Sequence, residues 1–234
     1  MTRIGIVTGL AFEARALERA ARRTSVADRV RIHCAGPGPA RARAAAEHLL
    51  AQGTGLLLSA GLAGGLDPAL APGDALLAEA VIAPDGARYD ADAARLDMTM
   101  RVLGDVEGVR RGVLLGSGTP VTSPVEKARL YRDTGAHAVD MESHAVAAVA
   151  AAAAVPFLAL RVLADPAHQA IPAAALAGMR ADGRVDPWPV MRAMLGRPAM
   201  CAGMLRLSRQ SRVARRRLGC LGERLLARLV GPGL

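Results

Sequence analysis

Glu142 and Asp165 are the residues whose types and placement most plainly suggest chemistry. They lie within residues 139–165, VDMESHAVAAVAAAAAVPFLALRVLAD. Alanine is the best helix former, so residues 141–154 are expected to be helical, with Asp140 or Glu142 near the positive N-terminal end. Pro156 breaks that helix. The apolar run 157–163 predicts a short strand covered on both faces, which puts Asp165 just past its carboxyl end. Ligands of open α/β sheets bind at that edge, so Glu142 and Asp165 should converge on one pocket. Such a pair suits general acid–base work when burial raises one carboxyl and leaves the other ionised. A third acid, Glu13, falls in the first turn of a predicted helix at 11–22, close to the carboxyl end of a strand at 4–8. Taken alone, Glu13 reads as a helix N-terminal acid favoured by the dipole.

The rest of the chain supplies the elements that must hold these acids. A strand at 30–34 leads through Gly36-Pro37-Gly38 to a helix at 40–52. The strand 55–59 opens into Ala60-Gly61-Leu62-Ala63-Gly64-Gly65-Leu66, whose glycines predict a tight bend that presents bare N–H groups to an anion or hydroxyl. Its spacing fits neither a Walker loop nor the dinucleotide fingerprint. A strand follows at 75–82, then a polar connection at 84–97 and a strand at 112–115. Ser123-Pro124-Val125-Glu126 has the N-cap, N1 proline and N3 glutamate of a helix start, predicting a helix to about residue 133. Asp186 and Pro187 do the same for a helix at 187–195. Strands alternating with helices specify a three-layer α/β/α domain around a central sheet, with the site among the strand-end loops.

Composition narrows the classes. The chain has 234 residues, 52% hydrophobic and 2% aromatic, enough for one full core plus a terminal appendage. The alanine-rich run is short and broken by Pro156, which argues against a membrane span. Glu13 interrupts the N-terminus too early for a secretory signal, so a cytoplasmic location is expected. Cys34, Cys201 and Cys220 lack CxxC spacing, and the five histidines show no metal-binding pattern, so neither a disulfide framework nor a metal site is expected. His144, two residues after Glu142, is the histidine nearest the chemistry. Of the net charge of +9, residues 199–234 carry +7 through eight arginines against Glu223. Leu218, Leu221, Leu225 and Leu229 recur there at helical spacing, so the end of the chain is expected to be a basic amphipathic helix. Two placements stay open for it: an anionic membrane surface, or its own domain or a partner subunit. Nucleic acid is not expected, because no aromatic residues are interleaved with the arginines. The expected division is 1–198 for the catalytic domain and 199–234 for the tail.

Four segments in order, GIVTGLAFE, SAGLAGGLDPALAPGD, VDMES and RVLAD, resemble the purine nucleoside phosphorylase and methylthioadenosine/S-adenosylhomocysteine nucleosidase superfamily. The resemblance implies an enzyme with a central mixed sheet that cleaves the N-glycosidic bond of an adenosine. It implies Asp165 as the acid at purine N7, Glu142 beside Met141 as acceptor of the ribose hydroxyls, and Glu13 as the base that activates water. Ala63 and Gly64 would line the nucleophile pocket, with Val121 and Thr122 beside the base. Ala164, Leu62 and Val121 depart from residues usual in the family. The phosphate motif of the bacterial phosphorylases is missing after the first strand, which favours water over phosphate, although Arg15 or Arg43 would be available to phosphate as co-substrate. No other cofactor is implied. The last third, with VDMESHAVAAVA and the arginine-rich end, resembles the hopanoid-associated phosphorylase branch. That implies adenosylhopane as substrate, delivered from a membrane that the basic tail contacts, and a homodimer. A methylthioadenosine/S-adenosylhomocysteine nucleosidase or a purine nucleoside phosphorylase is the alternative. A non-catalytic membrane-binding relative is the second, and the three retained acids argue against it.

Overall fold

The structure is a computed structural model that describes residues 3–194 and 198–230. In chain order, β1 (Ile4–Thr8), α1 (Ala11–Arg23), β2 (Val30–Cys34) and α2 (Pro39–Ala51) are followed by β3 (Leu56–Gly65), β4 (Ala75–Ile82), β5 (Arg88–Asp90) and α3 (Ala93–Leu103). Then come β6 (Val109–Gly116), α4 (Pro124–Thr134), β7 (Ala138–Asp140), α5 (Ser143–Ala152), β8 (Phe157–Asp165), α6 (Ala173–Ala177), α7 (Pro187–Met194) and α8 (Pro198–Val230). The predicted end of α7 at Leu195 lies outside the described residues.

The strands form one mixed sheet in the order β2-β1-β3-β7-β6-β4-β5, with β8 paired to both β3 and β4. The path β3-β7-β6-β4-β8 therefore closes on itself. Side chains alternate across each strand and build two cores. Ile4, Ile6, Leu58 and Leu160 face α1, α3 and α8, whereas Val7, Leu57, Ala159 and Leu163 face α2 and α5. The result is the expected three-layer α/β/α architecture with a central mixed sheet.

Three local expectations are corrected. The glycine-rich stretch does not bend away; it continues β3 through Gly65, with a register shift between Ala63 and Gly64 where it pairs β8. Neighbouring strands supply hydrogen bonds that outweigh glycine's conformational freedom. The connection at 84–97 contains β5 and the start of α3, whose N-cap Asp92 accepts from the Arg95 amide at 2.9 Å. Of the α3 residues only Leu96, Thr99 and Leu103 turn fully inward. Helix α5 begins at Ser143 rather than at Met141, because Asp140 accepts from the Ser143 amide and hydroxyl, at 3.1 and 2.6 Å, and so closes the helix start.

The basic C-terminal stretch is helical as expected, and its apolar face has a partner within the chain. Leu218, Leu221, Leu225, Leu226 and Leu229 of α8 are buried in the same cluster as Leu17 and Ala20 of α1. Arg23 on α1 pairs with Glu223 at 2.8 Å beside that contact. The basic face, including Arg206, Arg209, Arg212, Arg215 and Arg216, remains exposed. Truncating a core leucine removes apolar contacts and leaves a cavity. Leu225→Ala is expected to lower stability by about 2–5 kcal/mol in urea unfolding, with the cooperative transition retained.

Candidate active site

The acids are brought together by three strand ends. Strand β1 stops at Thr8, and Glu13 in the first turn of α1 reaches back over it. Its Oε2 accepts from the amides of Gly9 and Leu10 at 3.1 and 2.8 Å, and its Oε1 accepts from the Leu62 amide of β3 at 2.8 Å. Glu142 follows β7 and accepts from the Gly38 amide at 3.0 Å. Asp165 is the last residue of β8, not one beyond it, and lies beside Gly64 of β3. All three acids are buried and line one pocket of about 660 Å³.

Glycine makes two of these approaches feasible. A Cβ on Gly9 would stand 3.0 Å from the Glu142 carboxyl, and one on Gly61 would collide with both Arg161 and Glu13. The structural use of the glycine-rich strand is therefore close approach of side chains to the backbone.

Arg161 is the residue that sequence reasoning missed. It takes the same parity along β8 as Ala159 and Leu163, so it points toward α5, and it is 1% exposed. Its guanidinium lies 2.5 Å from Asp140 and 3.8 Å from Glu142, and donates to the hydroxyls of Ser59 at 2.6 Å and Ser143 at 3.0 Å. Its Nη1 is buried without a hydrogen-bond partner, on the Glu13 side of Gly61. The signal was present: an arginine inside LALRVLAD must find anions, because a guanidinium is almost never fully buried unpaired. Lys127 was also missed. It is fully buried on α4 and ion-paired to Asp165.

Three carboxylates thus share one guanidinium, and the protonation states follow. Burial pushes Glu13 up to about 7 from 4.5, against the opposing Arg161 charge and the Leu62 and Leu10 amides, with the nearby Glu142 charge adding to the rise. Burial also pushes Glu142 up, opposed first by Arg161. The expectation that burial would single out one acid is therefore corrected: Asp165 is raised by burial as well, opposed by Lys127. What distinguishes the acids is the cation each one meets.

Of the other expected site residues, Met141, Val121, Ala63 and Gly64 line the pocket. Thr122 is not in the lining; its carbonyl accepts from the Ile171 amide at 3.0 Å and ties down the segment after β8. Arg15 and Arg43 are exposed and stand outside the pocket, and so does His144, whose ring packs against Gly116. Beyond the acids the lining is mostly apolar, with Ile171, Leu176 of α6, Met179, Val190 and Met191 of α7, and Leu207 of α8, and its polar members include Thr119 and, on α8, Ser208, Ser211, Arg212 and Arg215. Among the described residues no group of three or more His, Cys, Asp or Glu is placed to hold a metal ion.

A strand-edge pocket with buried acids at its floor and an apolar outer wall defines a site for acid–base chemistry on a small ligand. The Phosphorylase superfamily model matches residues 3–182, and the chain belongs to that family. Futalosine hydrolase of Streptomyces coelicolor is 34% identical over 155 residues, which is 56% of this chain and 65% of that protein, so the match spans just under two thirds of the relative. Among solved structures, the 5′-methylthioadenosine/S-adenosylhomocysteine nucleosidase of S. pneumoniae with a transition-state inhibitor superposes with a TM-score of 0.75 at 15% identity, covering 97% of this chain and 100% of that one. The native futalosine hydrolase of Helicobacter pylori gives 0.69 at 17% identity, covering 94% and 97%. At these identities the structural likeness is one of fold.

Glu13 has a stability consequence whose sign follows from its direction. A carboxyl raised in the native state binds its proton more tightly folded than unfolded, so stability falls as pH climbs from 4.5 through about 7. The penalty above that window is about 3 kcal/mol, at 1.36 kcal/mol per unit. Glu13→Gln is expected to gain on the wild type by roughly that amount between pH 4.5 and pH 8 in denaturant unfolding. A gap independent of pH would show that folding does not raise the Glu13 carboxyl.

Proposed function

We propose that this protein is an N-ribosyl hydrolase that releases adenine from an adenosine carrying a large apolar group on its 5′ carbon, with adenosylhopane as the substrate. The observation that carries the reading is the continuity of the acid floor with a mostly apolar wall from α6, α7 and α8, interrupted on α8 by Ser208, Ser211, Arg212 and Arg215, which suits a hydrophobic substituent projecting from the ribose. In this reading Glu142 accepts from the ribose hydroxyls and Met141 packs beside the sugar. Asp165 donates a proton to purine N7 as the C1′–N9 bond breaks and its electron pair passes to the base. Val121 belongs to the base side, Ala63 and Gly64 to the nucleophile side. Water attacks C1′, and its proton passes to Glu13, whose value near 7 suits a general base at neutral pH. Carboxylates in excess over the guanidinium favour the positive charge that develops on the sugar.

Water is preferred to phosphate because Arg15 and Arg43 stand outside the pocket, Arg161 is engaged by Asp140 and Glu142, and the arginines that do line the pocket, Arg212 and Arg215, belong to α8 and not to the strand ends that carry the acids. The relative named futalosine hydrolase and the solved nucleosidase structures support hydrolysis in general and an adenosine-type ligand less specifically. A methylthioadenosine/S-adenosylhomocysteine nucleosidase is the second reading. Adenine release from adenosylhopane and from 5′-methylthioadenosine, each with and without phosphate, separates them. Faster, phosphate-independent cleavage of adenosylhopane is expected; phosphate dependence or a preference for methylthioadenosine would overturn that part. Asp165→Asn should lower turnover by about 10²–10⁴-fold with the fold intact, and near-normal turnover would remove its role.

The same reading places the enzyme in the cytoplasm at a membrane, as a homodimer, with residues 1–198 carrying the acids and α8 supplying outer wall and basic face. No helix among the described residues is long and apolar enough to cross a membrane. Because the leucine face of α8 is buried, the contact is assigned to α7 at the pocket mouth, where Met191 lines the pocket with Arg212 and Arg215 of α8 and is 58% exposed, and where Trp188 of the same helix is 75% exposed. Flotation with vesicles containing anionic lipid is expected to retain the wild type and to lose Trp188→Ser/Met191→Ser. Equal flotation of both would remove the mouth from the proposal. Light scattering tests the dimer, and a mass near 24.2 kDa would exclude it.

A further inference from the structure

Lys127 is the only lysine among thirty basic Lys and Arg residues, and it is 0% exposed. It lies in the first turn of α4, after the N1 proline Pro124. Its ammonium donates to Oδ2 of Asp165, to the Pro166 carbonyl at 3.0 Å and to the Gln169 carbonyl at 3.2 Å. An ammonium has three protons, so its capacity is filled and its place is over-determined. The Gln169 side chain is held in turn by reciprocal 2.9 Å bonds with Gln210 of α8. A compact ammonium serves such a converging set of acceptors; a planar guanidinium does not.

Desolvating a lysine this completely is expensive, and a structural ion pair rarely recovers more than a hydrophobic replacement would. The pair therefore invites a functional account. We propose that Lys127 is a positioning residue for Asp165: it anchors one carboxyl oxygen so that the other meets the leaving base, and its charge sets how readily that carboxyl parts with a proton. This rests on the acid role given to Asp165 above.

The surroundings leave Lys127 as the controlling charge. Strand β3 carries none, the one charge of β4, Glu79, is exposed, Asp140 of β7 turns to Arg161 and Ser143, and α8, which packs on β8, brings Arg212 and Arg215 into the pocket lining without an ion pair to Asp165. Among the described residues, Lys127 is the only cation bonded to Asp165. Burial pushes the Asp165 carboxyl up, while Lys127 pulls it down through both its charge and its hydrogen bond. Without the cation the carboxyl would hold its proton to higher pH and yield it less readily to the base.

The test compares leaving groups. Adenine needs a proton to depart, whereas 4-nitrophenolate departs without one. Lys127→Met, Lys127→Gln and Asp165→Asn are assayed with adenosylhopane or 5′-methylthioadenosine, whichever the wild type cleaves faster, and with 4-nitrophenyl β-D-riboside. Lys127→Met is expected to lose about 10²-fold in kcat for adenine release, with KM changed only a few-fold and nitrophenol release nearly intact. Its basic limb in kcat/KM should move to higher pH. Lys127→Gln keeps a donor without the charge and should show the same limb shift with a smaller loss, which preserves the test if the methionine variant melts early. Equal losses on both leaving groups, or an unmoved limb, would reduce Lys127 to a structural pair and overturn the proposal. If Asp165→Asn itself shows no selectivity between leaving groups, the acid assignment fails, which is a separate result.

Discussion

Arg161 sits in a strand buried on both faces, and the acids at the carboxyl-end pocket are arranged around its charge. A guanidinium removed from water needs anions and hydrogen-bond acceptors within reach, and the chain meets that need from several elements at once. Asp140 ends β7, Glu142 follows it, Ser143 opens α5 and Ser59 lies on β3. One desolvated cation thus fastens the strand ends that would otherwise be joined only by backbone pairing, and it gathers carboxylates that would otherwise repel.

The electrostatics of the pocket follow from that fastening. Carboxylates outnumber the guanidinium, burial strengthens every charge interaction, and protons are held on acids that would be fully ionised on the surface. Glu13 shows the balance most clearly, accepting three backbone amides and still titrating near neutrality. Asp165 lies in a second, separate pair with Lys127. The floor is thus divided into two ionic groups, one gathered on Arg161 and one on Lys127.

Helix α8 joins the two ends of this design. Its C-terminal leucines complete the core against α1, its Gln210 steadies the segment after β8, and its N-terminal half forms part of the apolar wall and presents arginines outward. The pocket wall and the core contact with α1 are thus supplied by different stretches of one helix rather than by one stripe.

Much of this was legible in the chain. Apolar runs of strand length, the capping signals before α4 and α7, and the acids at the ends of predicted strands needed only local rules, and Glu13, Glu142 and Asp165 do meet in one pocket. The residues that remained hidden were those whose meaning depends on a distant partner. Gly61 reads as a bend until Arg161 and Glu13 are seen pressed against it, and α3 reads as a polar connection until a core exists to receive Leu96 and Leu103. Lys127 is an ordinary helix residue in the sequence and the ion partner of Asp165 in space. The sequence by itself determined which side chains can carry charge and which strands are buried, because periodicity and residue type are local properties. Only the tertiary structure decided which cation each carboxylate meets, because strand register and sheet closure bring together charges far apart in the chain.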